Sequence, residues 1–448
     1  MRFIALGRRE FLKSSAALPL LSLQRGNAVD PWDETRSILA RIKEPTFPDR
    51  DFDARRYGSI NEAITACASA GGGRVVVPSG EFTTGALRLK SRVNLHLSDG
   101  AVIKFSTDPK AYLPAVFTRF EGTELMNYSP FIYAFEEQDI AITGTGVLDG
   151  QADATHWWDW TRSQAASRRR LIEFGAAGTP VAERVFGEGS FMRPNFIQPY
   201  RCRNVFIEGV TIRNSPMWEI HPVLCSNVIV RGVTINSHGP NNDGCNPESC
   251  RDVLIERCSF DTGDDCIALK SGRNNDGRRV GVPVENVIVR DCTMKDGHGG
   301  VTIGSEISGG ARNIFAERCR MDSPQLDRAL RMKTNSVRGG VIERVYMRDV
   351  TIGQVREAVV AIDFNYEEGD AGQFTPVVRD IEVRNVTSQK SDYALLLRGY
   401  SRTPITNVRL QDCKFENVAK PDVLENVKDI ALVNITVNGK VLNQTITR

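Results

Sequence analysis

Residues 204–212 read NVFIEGVTI, and residues 227–235 read NVIVRGVTI. The same nine-residue pattern recurs downstream: usually Asn or Asp first, then apolar residues at alternate positions, with Val or Cys seventh. The later copies are DVLIERCSF from Asp252, NVIVRDCTM from Asn286, NIFAERCRM from Asn313, RVYMRDVTI from Arg344, DIEVRNVTS from Asp380, NVRLQDCKF from Asn407 and DIALVNITV from Asp429. Successive copies begin 22 to 36 residues apart, and self-similarity at such spacing is typical of a stacked solenoid.

The repeated elements are strands, because apolar and β-branched residues alternate and Gly, Asn or Asp bound each run. We therefore predict an all-β fold, a right-handed, single-stranded parallel β-helix with roughly 4.8 Å between coils. Residues 31–43 suit a short helix. A second short helix, Ile60 to Ala68, precedes the first buried strand, Arg74 to Pro78, and would form the helical cap that the open end of a solenoid needs.

Four polar clusters interrupt the repeats between Gly239 and Lys333. Their aspartates, histidine and cations lie 12 to 20 residues after the start of their own repeats, so the clusters should line one side of four successive coils. Such residues are common in turns, which explains any one cluster but not three carboxylates, a histidine and two cations in one phase. The clusters are GPNNDG (239–244), GDDC (263–266), GHG (297–299) and RMK (331–333).

Crowded carboxylates suit hydrolysis of a glycosidic bond, which takes one carboxylic acid to protonate the leaving oxygen and one carboxylate to activate water. Like charges raise the proton affinity of at least one of them. Calcium binding is the competing use for three aspartates, but the histidine and the two cations argue against it. We expect no metal and no cofactor.

The four motifs, in this order on a β-helix, resemble glycoside hydrolase family 28, the polygalacturonases, whose pattern is Asn-Thr-Asp, Asp-Asp, Gly-His-Gly and Arg-Ile-Lys. Asn242 stands where the family has Thr, and Met332 where it has Ile; neither is a catalytic carboxylate. The opening YGS and AGGGRVVVPSGEF stretches also resemble the family, so the resemblance spans about residues 50–420. The elaborated GPNNDGCNPES and KSGRNNDGRR segments resemble the bacterial exo-acting branch.

This resemblance implies an inverting mechanism, for which we expect acid and base about 6.5–9.5 Å apart. By motif position Asp264 corresponds to the general acid, and Asp243 and Asp265 to the pair that activates water. The remaining candidates correspond to substrate contacts, with His298 also able to tune the proton of the acid. They are His298, Asn241, Arg331, Lys333 and Tyr366.

The resemblance points to hydrolysis of α-1,4-galacturonosidic bonds in pectic polymers or oligomers, with exo action from the non-reducing end. Three alternatives stay open: another pectic hydrolase of the family acting on rhamnogalacturonan or substituted galacturonan, a calcium-dependent pectate lyase, and a carbohydrate-binding β-helix, since fold alone does not fix function. The aspartate trio beside a histidine disfavours a pure binder.

Two segments break the repeat and flank the predicted site. Residues 151–200 form an insertion with three Trp and an Arg168-Arg169-Arg170 run, expected near the active-site groove. Residues 271–279, SGRNNDGRR, follow the Asp264-Asp265 strand. Arg273, Arg278 or Arg279 would meet a terminal substrate carboxylate, because guanidinium pairs with carboxylate at two points.

The 448 residues are 41% hydrophobic with a formal net charge of +2, which argues against nucleic acid as the partner. Residues 1–28, with Arg8-Arg9 before a short apolar run, resemble a twin-arginine export signal; residues 29–448 would then be one periplasmic or secreted catalytic domain, monomeric and free of the membrane. Four of the ten cysteines occupy the seventh repeat position and should pack in interior ladders, whereas Cys245 and Cys250 could pair or pack. These four are Cys258, Cys292, Cys319 and Cys413.

Overall fold

The computed structural model describes residues 30–447. The sequence predicted to be an export signal lies outside the described residues. The described chain is a right-handed parallel β-helix whose coils contribute strands to three parallel stacks. The fold predicted from the repeat is therefore confirmed.

The first stack contains the first half of every nine-residue repeat. Neighbouring coils pair in register, as in Val228 opposite Val253 and then Val287. Its strands are Asp51–Asp53, Gly73–Val77, Val93–Leu97, Gln138–Gly144, Arg203–Glu208, Ser226–Arg231, Arg251–Glu256, Val284–Arg290, Ala311–Glu317, Val341–Arg348, Val377–Arg384, Ile405–Gln411 and Val427–Val437.

The second stack contains the end of each repeat, after a bend in the chain. Its strands are Gly80–Thr84, Ala101–Phe105, Val147–Asp149, Thr211–Arg213, Thr234–Ser237, Ser259–Thr262, Thr293–Met294, Arg320–Met321, Thr351–Ile352, Thr387–Ser388 and Lys414–Phe415.

The third stack lies between one repeat and the next, and it carries the polar clusters. Residues 220–223 and 245–248 join it through isolated bridges. Its strands are Leu87–Arg88, Ile132–Phe135, Ile197–Tyr200, Ile267–Leu269, Val301–Gly304, Arg328–Lys333, Ala358–Asp363, Tyr393–Arg398 and Val423–Glu425.

Helices and hairpins decorate the coils. The α-helices within residues 30–447 are α1 (Asp33–Arg41), α2 (Ile60–Ser69), α3 (Ala165–Ala177) and α4 (Asn274–Val280). Short 3-10 helices span Ala54–Arg56, Pro109–Tyr112, Trp158–Arg162 and Val181–Glu183. Val116–Phe120 and Thr123–Asn127 form an antiparallel hairpin, and Lys440–Ile446 folds back antiparallel on the last strand of the first stack.

The helix predicted between Ile60 and Ala68 is present as α2, whose Ile64 and Cys67 are buried in the main core. The helix predicted for residues 31–43 is α1, whose Ile38 packs with Trp32 on outward-facing side chains of the first stack. In residues 30–447 we find no helix whose length and apolar character would let it span a membrane.

The repeat encodes its bend through two residues with left-handed backbone. Position one has positive φ, as at Asn227 (55°) and Asn286 (56°), and so does position six, as at Gly232 (58°) and Asp291 (56°). Asn, Asp and Gly tolerate this conformation best. The polar first position thus serves the backbone, while positions two and four enter the core.

The first-position side chains also bond from coil to coil. Asn286 donates through Nδ2 to Asp252 Oδ1 at 3.1 Å, and its own Oδ1 accepts from Asn313 Nδ2 at 2.9 Å. Asn227 donates to Asn204 Oδ1 at 2.8 Å in the same way. This ladder fixes the stagger of the coils on the outside of the solenoid.

All ten cysteines lie within residues 30–447, and each is a buried free thiol. The four at the seventh repeat position are core residues, as the sequence predicted. Cys245 and Cys250 pack in the interior without pairing, which resolves the alternative left open by the sequence.

We predict that Asn286→Ala lowers the free energy of unfolding by about 3 kcal/mol. Two hydrogen bonds of about 1 kcal/mol each are lost, and Ala adopts positive φ poorly. Asn286→Gly is the matched control, because it loses the bonds but keeps the backbone conformation, so its loss should be smaller. Urea unfolding measures both. Equal losses would show that the left-handed backbone contributes nothing here.

Candidate active site

The third stack positions the site because its side chains alternate between core and outer face. Ile303 and Met332 are core residues, so the residues flanking them point outward. Thr302 stands opposite Arg331, and Gly304 opposite Lys333, on adjacent coils. The outer face of these strands therefore forms the floor of a polar groove.

The three aspartates precede strands of this stack on two adjacent coils. The backbone N–H of Gly244 donates to the carbonyl of Asp265 at 3.0 Å, which places Asp243 beside the following coil. One carboxylate oxygen from each of Asp243, Asp264 and Asp265 lies within 4.8 Å of one from each of the others. This closest approach is shorter than the separation that the sequence led us to expect for acid and base.

Asp265 is a fully buried, permanently charged anion. Its Oδ1 accepts from Thr302 at 2.8 Å and from Arg331 at 3.2 Å, and its Oδ2 accepts from Lys333 at 2.8 Å. Burial acts to raise the pKa of this carboxyl, but Lys333, Arg331 and Lys270 outweigh burial and hold the pKa well below its usual range.

Asp243 is 3% exposed and has fewer partners. Its Oδ2 accepts from Asn246 Nδ2 at 2.9 Å and lies 3.5 Å from Lys270 Nζ. Burial and the neighbouring Asp264 raise the pKa of Asp243 well above its usual range, and Lys270 opposes them. Two carboxyls of one cluster are thus driven apart in proton affinity, which is the arrangement that acid–base catalysis needs.

Asp264 is the most accessible of the three, with 18% of its side chain exposed. Its Oδ1 accepts from its neighbour's backbone N–H at 2.9 Å and lies 3.0 Å from His298 Nδ1. The hydrogen bond to Asp264 raises the pKa of His298. Both contacts use the same oxygen, so Oδ2 remains available for a substrate.

A polar pocket of about 370 Å³ opens beside the aspartates. Tyr366 lines it, and Lys333 Nζ lies 5.2 Å and the Arg331 guanidinium 5.7 Å from the centre of the tyrosine ring. Of the substrate contacts implied by the sequence, the structure thus brings these three together with Asn241 and the aspartates.

One wall of the pocket is built by residues from three separate segments. Arg168 on α3 pairs with Glu121, at the turn of the antiparallel hairpin, at 2.6 Å. The Nη2 atom of Arg168 lies 3.7 Å from Glu367, which is in the loop after strand Ala358–Asp363. The insertion at 151–200 therefore reaches the pocket through α3.

Arg193, which belongs to the insertion at 151–200, also holds the first polar cluster, GPNNDG, in place. Arg193 is fully buried; it donates to the carbonyls of Pro216 (2.9 Å) and Pro240 (2.7 Å) and to Asn241 Oδ1 (2.6 Å). Burial lowers the pKa of Arg193 to about 10. This arginine holds Asn241, whose φ is +56°, in the turn that presents Asp243.

The prediction that Arg273, Arg278 or Arg279 meets a substrate carboxylate is not supported by the geometry. Arg273 is 4% exposed and pairs with Glu121 at 3.0 Å and Glu367 at 3.3 Å. Arg278 donates to two backbone carbonyls, and Arg279 pairs with buried carboxylates. Most of the segment lies in the short helix α4, and Arg273, directly before this helix, joins Glu121 to Glu367 in the wall.

Several residues around the aspartates were not identified from the sequence, among them Lys270, Glu306, Trp218 and Arg193. Lys270 and Glu306 are buried and paired at 3.0 Å directly behind Asp243, and Trp218 covers the Lys270 ammonium at 4.3 Å. Lys270 could have been found, because a charge at the end of the alternating run CIALK must face outward beside the catalytic motif. Arg193 lies in an irregular segment without a periodic signal.

Comparison with known proteins identifies the class. The family model described as glycosyl hydrolases family 28 matches residues 187–436, more than half of the chain. The protein therefore belongs to glycosyl hydrolase family 28 and is a glycoside hydrolase.

Its relatives are more specific. A hyperthermoactive exopolygalacturonase from Thermotoga maritima is 43% identical, with a TM-score of 0.90, over 93% of this chain and 98% of that one. A probable polygalacturonase of Vitis vinifera is 28% identical over 85% of this chain and 72% of the relative. An exo-poly-alpha-D-galacturonosidase of Dickeya chrysanthemi is 25% identical over 74% of this chain and 59% of the relative. The resemblance seen in the motifs is confirmed.

We predict that Asp264→Asn lowers turnover at least 10²-fold, the low end for general acid catalysis, because an amide cannot protonate the leaving oxygen. Circular dichroism and thermal unfolding should barely change, since the amide oxygen can still accept from the backbone N–H. Asp261→Asn, on the preceding strand and 3.0 Å from His238, is the matched control and should stay active. More than a tenth of wild-type turnover in Asp264→Asn would remove Asp264 from the role.

Proposed function

We propose that the protein hydrolyses α-1,4-linked galacturonic acid chains, one sugar at a time from the non-reducing end, with inversion at the anomeric carbon. The aspartate cluster carries this proposal, since it combines an accessible carboxyl, a buried proton-binding carboxyl and a permanently charged one. The three relatives named above support the substrate.

In the proposed mechanism Asp264 donates its proton to the glycosidic oxygen as the bond to the anomeric carbon breaks. Its free Oδ2 is the atom placed for this transfer. Asp243 and Asp265 hold the attacking water on the opposite side of the sugar. Asp243 takes the water proton, because Asp265, already bonded to two cations and a hydroxyl, is a weak base.

The substrate is an anion, and two cations at the groove floor can meet its carboxylates. Arg331 uses Nη1 for Asp265, which leaves the rest of its guanidinium for a uronate, in the two-point pairing that arginine favours. Lys333 and Tyr366 complete this side. The same cations repel a divalent ion, which supports hydrolysis over the calcium-dependent lyase alternative.

The anomeric outcome is an independent part of the proposal. The closest carboxylate oxygens lie within 4.8 Å, below the 6.5–9.5 Å common in inverting enzymes and close to the separation of retaining ones. Inversion is supported instead by the presence of a second carboxylate beside Asp243, since two carboxylates can hold a water between them, and by the poor nucleophilicity of Asp265, which is bound to two cations.

Exo action is supported by the wall of Arg168, Glu121 and Glu367. The wall lines the same pocket as Asp243 and Asp264, so it stands within reach of a sugar bound at the aspartate cluster. We propose that this wall stands beyond the non-reducing sugar. Arg168 would then take over the contact with the terminal sugar that the sequence assigned to the arginines of residues 271–279.

The proposed cellular location and oligomeric state of the enzyme rest on the sequence alone. We propose export by the twin-arginine route, cleavage near Ala28, and a monomeric periplasmic or secreted enzyme that acts on pectic material of plant cell walls. The mature domain would comprise residues 29–448.

We predict that digestion of polygalacturonate yields free galacturonate as the first product, with the β-anomer appearing first by proton NMR. Solution viscosity should barely fall while reducing ends accumulate, because cleavage at chain ends leaves long polymers intact. Activity should persist in chelator, and the products should lack the ultraviolet absorbance of unsaturated uronides.

Each alternative has its own signature in the same digestion. An early collapse in viscosity with intermediate oligomers would contradict exo action, and first appearance of the α-anomer would contradict inversion. Unsaturated products would indicate the lyase. Cleavage of rhamnogalacturonan in preference to polygalacturonate would redirect the substrate within the family.

A further inference from the structure

Lys270 and Glu306 form a buried ion pair behind the catalytic cluster. Both side chains are less than 10% exposed, and Lys270 Nζ lies 3.0 Å from Glu306 Oε2 and 3.5 Å from Asp243 Oδ2. An ion pair enclosed to this degree costs desolvation energy and is weak evidence for a purely stabilising role. Its position beside Asp243 suggests a role in catalysis.

The mechanism requires one particular distribution of charge, with Asp243 ionised and Asp264 protonated. Two carboxyls this close titrate as a pair, and burial favours the opposite distribution by raising the pKa of Asp243. Several charged groups face Asp243. The next coil contributes Asp264, Asp265 and Lys270, and the second coil beyond that one contributes Lys333. The preceding coil contributes Glu219.

Of these groups, only the two lysines favour an ionised Asp243. Lys333 is bonded to Asp265 at 2.8 Å, whereas Lys270 is in ion-pair contact with Asp243 itself. Glu219 adds no positive charge, and burial and Asp243 raise the pKa of Glu219 well above its usual range. The charge state of Asp243 therefore depends most directly on Lys270.

We propose that Lys270 is a positioning residue that directs the shared proton from Asp243 to Asp264, and that Glu306 sets the strength of this effect. This inference rests on the proposed function. The Lys270 ammonium stays charged, because Glu306, Asp243 and Asp265 outweigh the opposing effect of burial and raise its pKa. Glu306 competes with Asp243 for that charge and is itself held by Arg273, whose Nη1 lies 3.9 Å from its Oε1.

The two partners should act in opposite directions on the pH profile of kcat/KM, which reports the free enzyme. Without the Lys270 cation the pKa of Asp243 rises, so the ionised base forms only at higher pH, and the acidic limb of the profile moves to higher pH. Without the Glu306 charge the pKa of Asp243 falls, so the acidic limb moves to lower pH. A charge at this distance shifts a carboxyl by about one pH unit or more.

The test measures kcat/KM for polygalacturonate against pH in four variants. Lys270→Met should move the acidic limb up by about one pH unit, and Glu306→Gln should move it down. Lys270→Arg keeps the charge and should hold the limb near its wild-type position. Lys104→Gln, which removes an ammonium paired with Glu81 on an N-terminal coil, is the control and should leave the profile unchanged.

If the ion pair serves folding alone, the variants should lose activity while the acidic limb stays at its wild-type pH, and that result would overturn the inference. Movement of the acidic limb in the same direction in Lys270→Met and in Glu306→Gln would also overturn it. If Lys270→Met does not fold because it strands a buried anion, the neutral double variant Lys270→Met/Glu306→Gln replaces it, and its limb should again move up. If the wild type hydrolyses polygalacturonate but the acidic limb does not move in these variants, this inference alone is wrong. If the wild type does not hydrolyse polygalacturonate, the proposed function and this inference are both wrong.

Discussion

The site depends on the balance between three crowded carboxylates and the cations packed behind them. Parallel coils stand about 4.8 Å apart, so side chains at equivalent positions of successive turns must meet. Three carboxylates at that spacing repel one another, and the two buried ones, Asp243 and Asp265, also lose hydration, which would cost several kcal/mol for each unpaired buried charge. Lys333 and Arg331 neutralise Asp265, and Lys270 faces Asp243. The cations are therefore as necessary to the site as the aspartates.

This balance divides the labour among chemically identical side chains. The neighbouring cations hold the pKa of Asp265 well below its usual range, burial raises the pKa of Asp243, and Asp264 is the most exposed of the three. In the proposed mechanism one carboxyl type supplies a fixed anion, a base and an acid, and the difference lies in which neighbours each residue contacts. Charge pairs also build one wall of the pocket, where Arg168, Glu121 and Glu367 join three distant segments.

The fold was predictable from the sequence because the repeat exposes its own geometry. Asn or Asp at position one marks a left-handed residue, as at Asn286, and the phase of the polar clusters placed Asp243, Asp264 and Asp265 on neighbouring coils. What the sequence could not provide was the direction of side chains in irregular segments. Arg273 follows the catalytic strand closely, yet it turns into Glu121 and Glu367, which lie 152 and 94 residues away.

The contacts of Arg193 could not be predicted from the sequence either. It is fully buried under Pro240 and Asn241, but nothing in the residues around it alternates or repeats, so its contacts became visible only in three dimensions. Lys270 is intermediate, because the strand alternation could have assigned it to the outer face, although its pairing with Glu306 depends on the path of the next coil. Repetition therefore predicts what the coils place together, and tertiary structure decides which charges pair.

The most direct measurement of this account is a crystal structure of Asp264→Asn with a bound oligogalacturonide. The account predicts that the terminal sugar lies in the pocket against Arg168 and Glu121. Its glycosidic oxygen should lie within hydrogen-bond distance of residue 264, with a uronate carboxylate on Arg331 or Lys333. A chain that continues past the position of Arg168, or a glycosidic oxygen against Asp243 instead of residue 264, would contradict it.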